Sequence, residues 1–149
     1  MKKNTLIWLT KYLIDFMFFT GIVVVLGVPL IFWQAGKHFH IFDKYYYPFC
    51  ILFMIAGAFA LAILWELRSM FKTVIKQDSF VRANVLSLKR MGVYAFIIAG
   101  IMAIRLIIVI TPAALVLVAV FLIAGLFSLV LSQVFDQAVT YKQENDLTI

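Results

Sequence analysis

The sequence predicts an all-α membrane protein of four transmembrane helices, with both termini and the connection between spans two and three in the cytoplasm. Three observations carry this reading. First, 65% of the 149 residues are hydrophobic and only 13% are charged, with a mean hydropathy of +1.06; a soluble domain is nearer half apolar. Second, the 39 residues from Val93 to Leu131 hold one charge, Arg105, and one proline, Pro112. A bilayer core takes about 20 apolar residues per helix, so this run is two spans. Third, ten of the 13 basic residues fall on one side of the predicted spans, two on the other, and Arg105 within a span. The positive-inside rule then sets the orientation. A net charge of +6 is explained by this distribution without invoking nucleic acid.

Span one is expected over about residues 6–33. Trp8 and Trp33 lie about 37 Å apart along a helix, which suits indoles at opposite interfaces. Gly27 and Pro29 predict a kink in the outer third. The run is too long for a signal-peptide core, lacks an A-x-A site and is interrupted by Asp15, so a retained span is expected. The outer loop, Gln34–Tyr47, is polar and aromatic. In it Tyr45, Tyr46 and Tyr47 form an interfacial anchor before Pro48 opens span two.

Span two is expected over 48–66, but its helix should run on to about Lys76. Leu67, Met70, Phe71, Val74 and Ile75 follow an amphipathic helical pattern, with Arg68, Lys72 and Lys76 between them. Asp78 or Ser79 is then a good N-cap for a helix resuming near Phe80, with Val81, Val85, Leu88 and Gly92 as its apolar stripe. The segment 67–90 is thus expected as a basic cytoplasmic helical hairpin leading into span three, 91–110. Thr111-Pro112 breaks the long apolar run, Thr as N-cap and Pro at the first helical position. Span four, 112–135, carries a small-residue patch at Gly125 and Ser128 suited to close helix contact. A polar tail, 136–149, follows. Its charged stem and apolar tip, Leu147 and Ile149, are expected to dock on the basic hairpin or on a partner. Lys72, Lys76 and Arg82 stand opposite Glu144 and Asp146 in that docking. One compact four-helix bundle is expected to use essentially the whole chain.

Phe71-Lys72-Thr73, Ser79-Phe80 with Asn84, Leu88-Lys89-Arg90-Met91-Gly92 and the ending Glu144-Asn145-Asp146-Leu147-Thr148-Ile149 carry a resemblance. Together they resemble a bacterial four-span membrane family catalogued as the domain of unknown function twenty-nine seventy-five. The resemblance covers nearly the whole chain and is specific in the loop and the tail. Many members have Pro-Phe where this chain has Ser79-Phe80. The family is typically encoded beside a small helix-turn-helix transcriptional regulator, which implies a regulatory partnership. It carries no established activity or active site.

Candidate chemistry is sparse. Asp15 and Arg105 are the charges deepest in the spans. Such charges face a bundle interior or a partner, so they are expected inside, either as a structural pair or as a proton, ion or ligand site. Glu66, beside Trp65, reads chiefly as a solvated helix-end charge; a cytoplasmic vestibule shared with Asp15 offers too few carboxylates for a metal. His38 and His40, with Asp43, fall short of a metal-ligand set. The single cysteine, Cys50, excludes an internal disulfide. No H-E-x-x-H, G-x-S-x-G or Cys/His arrangement is present.

The resulting expectation is a non-enzymatic, multi-pass cell-membrane protein without cofactor or metal. It acts in regulation or stress response by presenting Lys72, Lys76, Arg82, Lys89, Arg90, Asp146, Leu147 and Ile149 to a partner. Its partners are the lipid bilayer and a cytoplasmic helix-turn-helix regulator, with no direct nucleic-acid contact and with homo-oligomers compatible. The rival is a small transporter-like or immunity protein using Asp15 and Arg105.

Overall fold

A computed structural model describes residues 3–147, without the side chains of residues 3, 4 and 42. The elements are α1 (Lys3–Leu26), α2 (Val28–Gly36), α3 (His40–Lys44), α4 (Tyr46–Ile75), α5 (Arg82–Ile108) and α6 (Pro112–Leu147). No strand occurs among the described residues. Four of the helices, α1, α4, α5 and α6, are long and apolar enough to cross a membrane. Large apolar side chains point outward along them, as with Val23 at 70%, Ile107 at 82% and Ile123 at 67% exposed. Such surfaces are stable only with lipid as solvent.

Span one bends as the sequence predicts. Pro29 has no N–H to donate, and the ladder resumes with Ile31 N donating to Gly27 O at 2.9 Å. The bend divides the apolar run into α1 and α2. Tyr46 Oη donates to Pro29 O at 2.9 Å, tying the bend to the start of α4. There Val28, Phe32, Phe49 and Cys50 form a buried cluster.

The four spans are not closed into a bundle. They stand in the spatial order α1, α4, α5, α6, each packed on its neighbour, and among the described residues α1 and α6 do not meet. Small residues set the closeness of each seam. A Cβ on Gly92 would lie 3.2 Å from the Gly125 carbonyl oxygen and 2.9 Å from the Leu129 side chain. A Cβ on Gly125 would meet the Phe96 ring at 2.9 Å. Ser128 Oγ, one turn on, donates to Leu88 O at 2.7 Å. The expected small-residue patch is therefore the α5–α6 seam. Between α4 and α5, Ala56, Ile98 and Met102 form a second buried cluster, and Phe59 meets Tyr94 with ring centroids 5.8 Å apart.

The α4–α5 turn confirms the expected helices with shifted boundaries. Helix α4 ends in a Schellman motif: Asp78 N donates to Thr73 O at 3.0 Å and Gln77 N to Val74 O at 3.1 Å. Gln77 occupies the left-handed position, with φ 59°. The expected N-cap does not form. The cap residue is Val81, extended and without a side-chain cap bond, because Asp78 is consumed by the end of α4. Asn84 closes the turn instead, its Nδ2 donating to Thr73 Oγ1 and to Ser79 O, both at 2.7 Å.

The Thr111-Pro112 break matches the sequence reading. Helix α6 starts at Pro112, and Thr111 Oγ1 accepts from Ala114 N at 3.3 Å. The tail does not match it. Residues 136–147 continue α6 as one helix of 36 residues, about 54 Å long.

Candidate functional site

At the end where α4 joins α5, two acidic side chains are each claimed by their own arginine. Asp15 accepts from Lys11 Nζ at 2.8 Å, one helical turn before it, and from Arg68 Nε at 2.7 Å across the α1–α4 seam. The Arg68 guanidinium also packs on Phe18 and Trp65, 5.0 and 5.4 Å from their ring centroids. Two residues earlier on α4, Glu66 faces the opposite neighbour. It takes a forked bond from Arg90 of α5, Nε to Oε1 at 2.9 Å and a second guanidinium nitrogen to Oε2 at 3.1 Å.

This arrangement corrects two expectations. Glu66 is only 7% exposed, so it is a buried, paired carboxylate and not a solvated helix-end charge. It shares no vestibule with Asp15, because positions 66 and 68 point to different seams. Asp15 and Arg105 do not pair either, since α1 does not touch α5. Asp15 sits near the α4–α5 connection, whereas Arg105 lies in the last turn of α5 at the other end.

Arg105 is buried at 7% exposure. One guanidinium nitrogen donates to Thr111 Oγ1 at 2.7 Å. The Phe49 and Phe53 rings flank the group, with centroids 4.8 and 5.8 Å away. Thr111 thus caps α6 and holds Arg105 at once.

The basic residues predicted as a partner surface divide into two sets. Arg82 and Arg90 are engaged within the fold, Arg82 with Asp136 and Arg90 with Glu66. Lys72, Lys76 and Lys89 are exposed. The extension of α6 docks beside them. Phe80 and Phe135 meet with ring centroids 5.2 Å apart, Val139 is 3% exposed, and Lys142 Nζ donates to Asp78 Oδ1 at 2.7 Å. These contacts on the hairpin thus come from residues 135–142, ahead of the segment Glu144–Ile149 expected to dock. Asp136 and not Asp146 takes Arg82, and Lys142 reaches back to Asp78. Asp146 borders a shallow groove with Phe80, Val81, Arg82 and Val139. Leu147 is 85% exposed, and Ile149 lies outside the described residues.

Several of these partners carry a signal visible in the sequence. Lys11 stands four residues before Asp15, the spacing of helical ion pairs, and Thr111 is six residues from Arg105. The Asp136–Arg82 and Glu66–Arg90 pairs carry no local signal, because they join different helices. Among the described residues no three His, Cys, Asp or Glu side chains gather where they could hold a metal ion.

No curated protein and no solved structure matches the chain. A family model matches residues 30–149, from the bend after α1 through the end of the chain. The match takes in α4, α5 and α6 with the α4–α5 turn, and leaves Lys11 and Asp15 of α1 outside it. The chain belongs to the family described as Protein of unknown function (DUF2975).

Proposed function

We propose that this protein is a non-enzymatic regulatory or stress-response component of the bacterial cell membrane. Its termini and α4–α5 turn lie in the cytoplasm, where they receive a protein partner such as a small helix-turn-helix transcriptional regulator. The orientation rests on the basic residues gathered at the α4–α5 end. The observation that carries the reading is how that end is built. The turn and the extension of α6 are joined by Phe80–Phe135, Arg82–Asp136 and Asp78–Lys142. Lys72, Lys76 and Lys89 stay exposed around them. A platform of this kind is preorganised, so a partner meets it without ordering a loose tail. Anionic lipid headgroups would draw the same lysines to the membrane surface, and a partner would have to compete with them. A transporter-like role for Asp15 and Arg105 draws less support, because the two charges lie at opposite ends of different helix pairs.

Purification of the tagged full chain from native membranes tests the reading. A cytoplasmic DNA-binding protein is expected to accompany the wild type and to be lost from a Lys72→Glu/Lys76→Glu/Lys89→Glu variant that still inserts. Equal recovery of that protein with both would remove the platform as its docking site. Orientation is checked separately in a Cys50→Ala background. An impermeant thiol reagent applied to intact cells should label Gln34→Cys and spare Gln77→Cys; the reverse pattern would place the platform outside.

A further inference from the structure

Arg105 is a buried cation that no acidic side chain pairs with among the described residues. Among the described residues its polar partner is the neutral Thr111 hydroxyl. Its Nε is buried without a hydrogen bond. A buried charge in this condition is unfavourable unless a counter-ion completes it.

One turn below, on the same face of α5, Met102 borders an apolar groove of about 250 Å³. Its other walls include Val25 from α1, Phe53 and Ala56 from α4, and Leu117 and Phe121 from α6. The groove exists because α1 and α6 do not meet. Groove and charge share one wall residue, since the Phe53 ring both lines the groove and packs against the Arg105 guanidinium.

Depth suits the same pairing of charge and groove. Arg105 lies one turn from the end of α5 at Ile108, the end of a span, where a headgroup would sit. Ile98, also in the groove, lies about 10 Å deeper along the helix. An anion at Arg105 with an apolar chain of that length or more fits both parts. A second copy of the chain would fill the groove but leave the charge unmet. A zwitterionic lipid would bring its own cation beside the guanidinium.

We propose that Arg105 and the groove form a binding site for one anionic phospholipid, its phosphate at Arg105 and one acyl chain along the groove. This site is separate from the basic platform and faces the opposite leaflet.

Native mass spectrometry tests it on the full chain, released from nanodiscs containing equal phosphatidylglycerol and phosphatidylcholine. The wild type should retain one lipid, with phosphatidylglycerol favoured about tenfold, the scale of one charged hydrogen-bonded contact. Arg105→Gln should retain lipid without that preference, and Leu117→Trp should lose both lipids by filling the groove. Equal retention by the wild type, or an undiminished preference in Arg105→Gln, would overturn the proposal; the second result would place selectivity on the lysines at the other end. A lipid-free dimer would also overturn it. The wild type gives an independent measurement should Arg105→Gln fail to insert. Phosphatidylglycerol with a photoreactive acyl chain should crosslink near Val25, Ala56 and Leu117, and crosslinks confined to Lys72–Lys89 would refute the site.

Discussion

Glu66 and Arg90, 24 residues apart, meet through a two-pronged ion pair in which the carboxylate is buried and the guanidinium is half exposed. That difference in exposure makes the pair unequal. Arg90→Gln leaves a buried carboxylate without its counter-ion, at a cost of about 2–3 kcal/mol. Glu66→Gln leaves an arginine that can turn toward water, and should cost about 1 kcal/mol. Unfolding of both variants in one detergent measures this, and equal losses would contradict the unequal burial.

Asp15 should behave independently of Arg105. Asp15→Asn removes the anion between Lys11 and Arg68 and leaves two cations adjacent, costing about 1–2 kcal/mol. Combined with Arg105→Gln, the losses should add within about 0.5 kcal/mol, as for sites on helices that do not touch. A larger deviation in the double-mutant cycle would indicate a coupling that the fold does not contain.

The α5–α6 seam should reject even one methyl group. At Gly92 an added Cβ meets a backbone oxygen and a leucine side chain, and at Gly125 it meets a phenylalanine ring. Gly92→Ala and Gly125→Ala should each cost about 1–3 kcal/mol. Gly100 is the internal control, with nothing within 4 Å of its added Cβ. Gly100→Ala should be neutral or slightly stabilising in the same unfolding assay.

Gln77 offers a stabilising substitution. It holds the left-handed position of a Schellman motif, where glycine carries no Cβ penalty. Gln77→Gly should raise stability by up to about 1 kcal/mol, the usual penalty for an L-residue there. A loss of that size would show that the Gln77 side chain contributes something beyond the turn.

Local rules made much of this fold readable. Apolar run length located the spans, Gly27 and Pro29 located the bend, and Thr111-Pro112 located the break before α6. The stripe Val85, Leu88 and Gly92 is the buried face of α5. What escaped was the choice of neighbours. Run length says nothing about which spans touch, so the open row and the separation of Asp15 from Arg105 were not visible. Glu66 looked solvated because its partner lies on another helix. The tail was expected to dock through its last residues, yet Phe80, Arg82 and Asp78 hold its first turns instead. The N-cap signal at Asp78 and Ser79 was not realised: the Asp78 N–H closes α4 and its carboxylate takes Lys142, while the Ser79 carbonyl accepts from Asn84.

Helix α6 runs without interruption from Pro112 to Leu147, and that makes it a lever. A rod about 54 Å long that pivots near its middle converts a tilt of about 10° into a total sweep of about 9 Å between its tips. Bilayer thinning, or a change in how the helix seats on α5, would therefore be felt at Leu147 as displacement and not absorbed as bending. Any change of bilayer thickness that tilted α6 would in this way reach the surface at its far end.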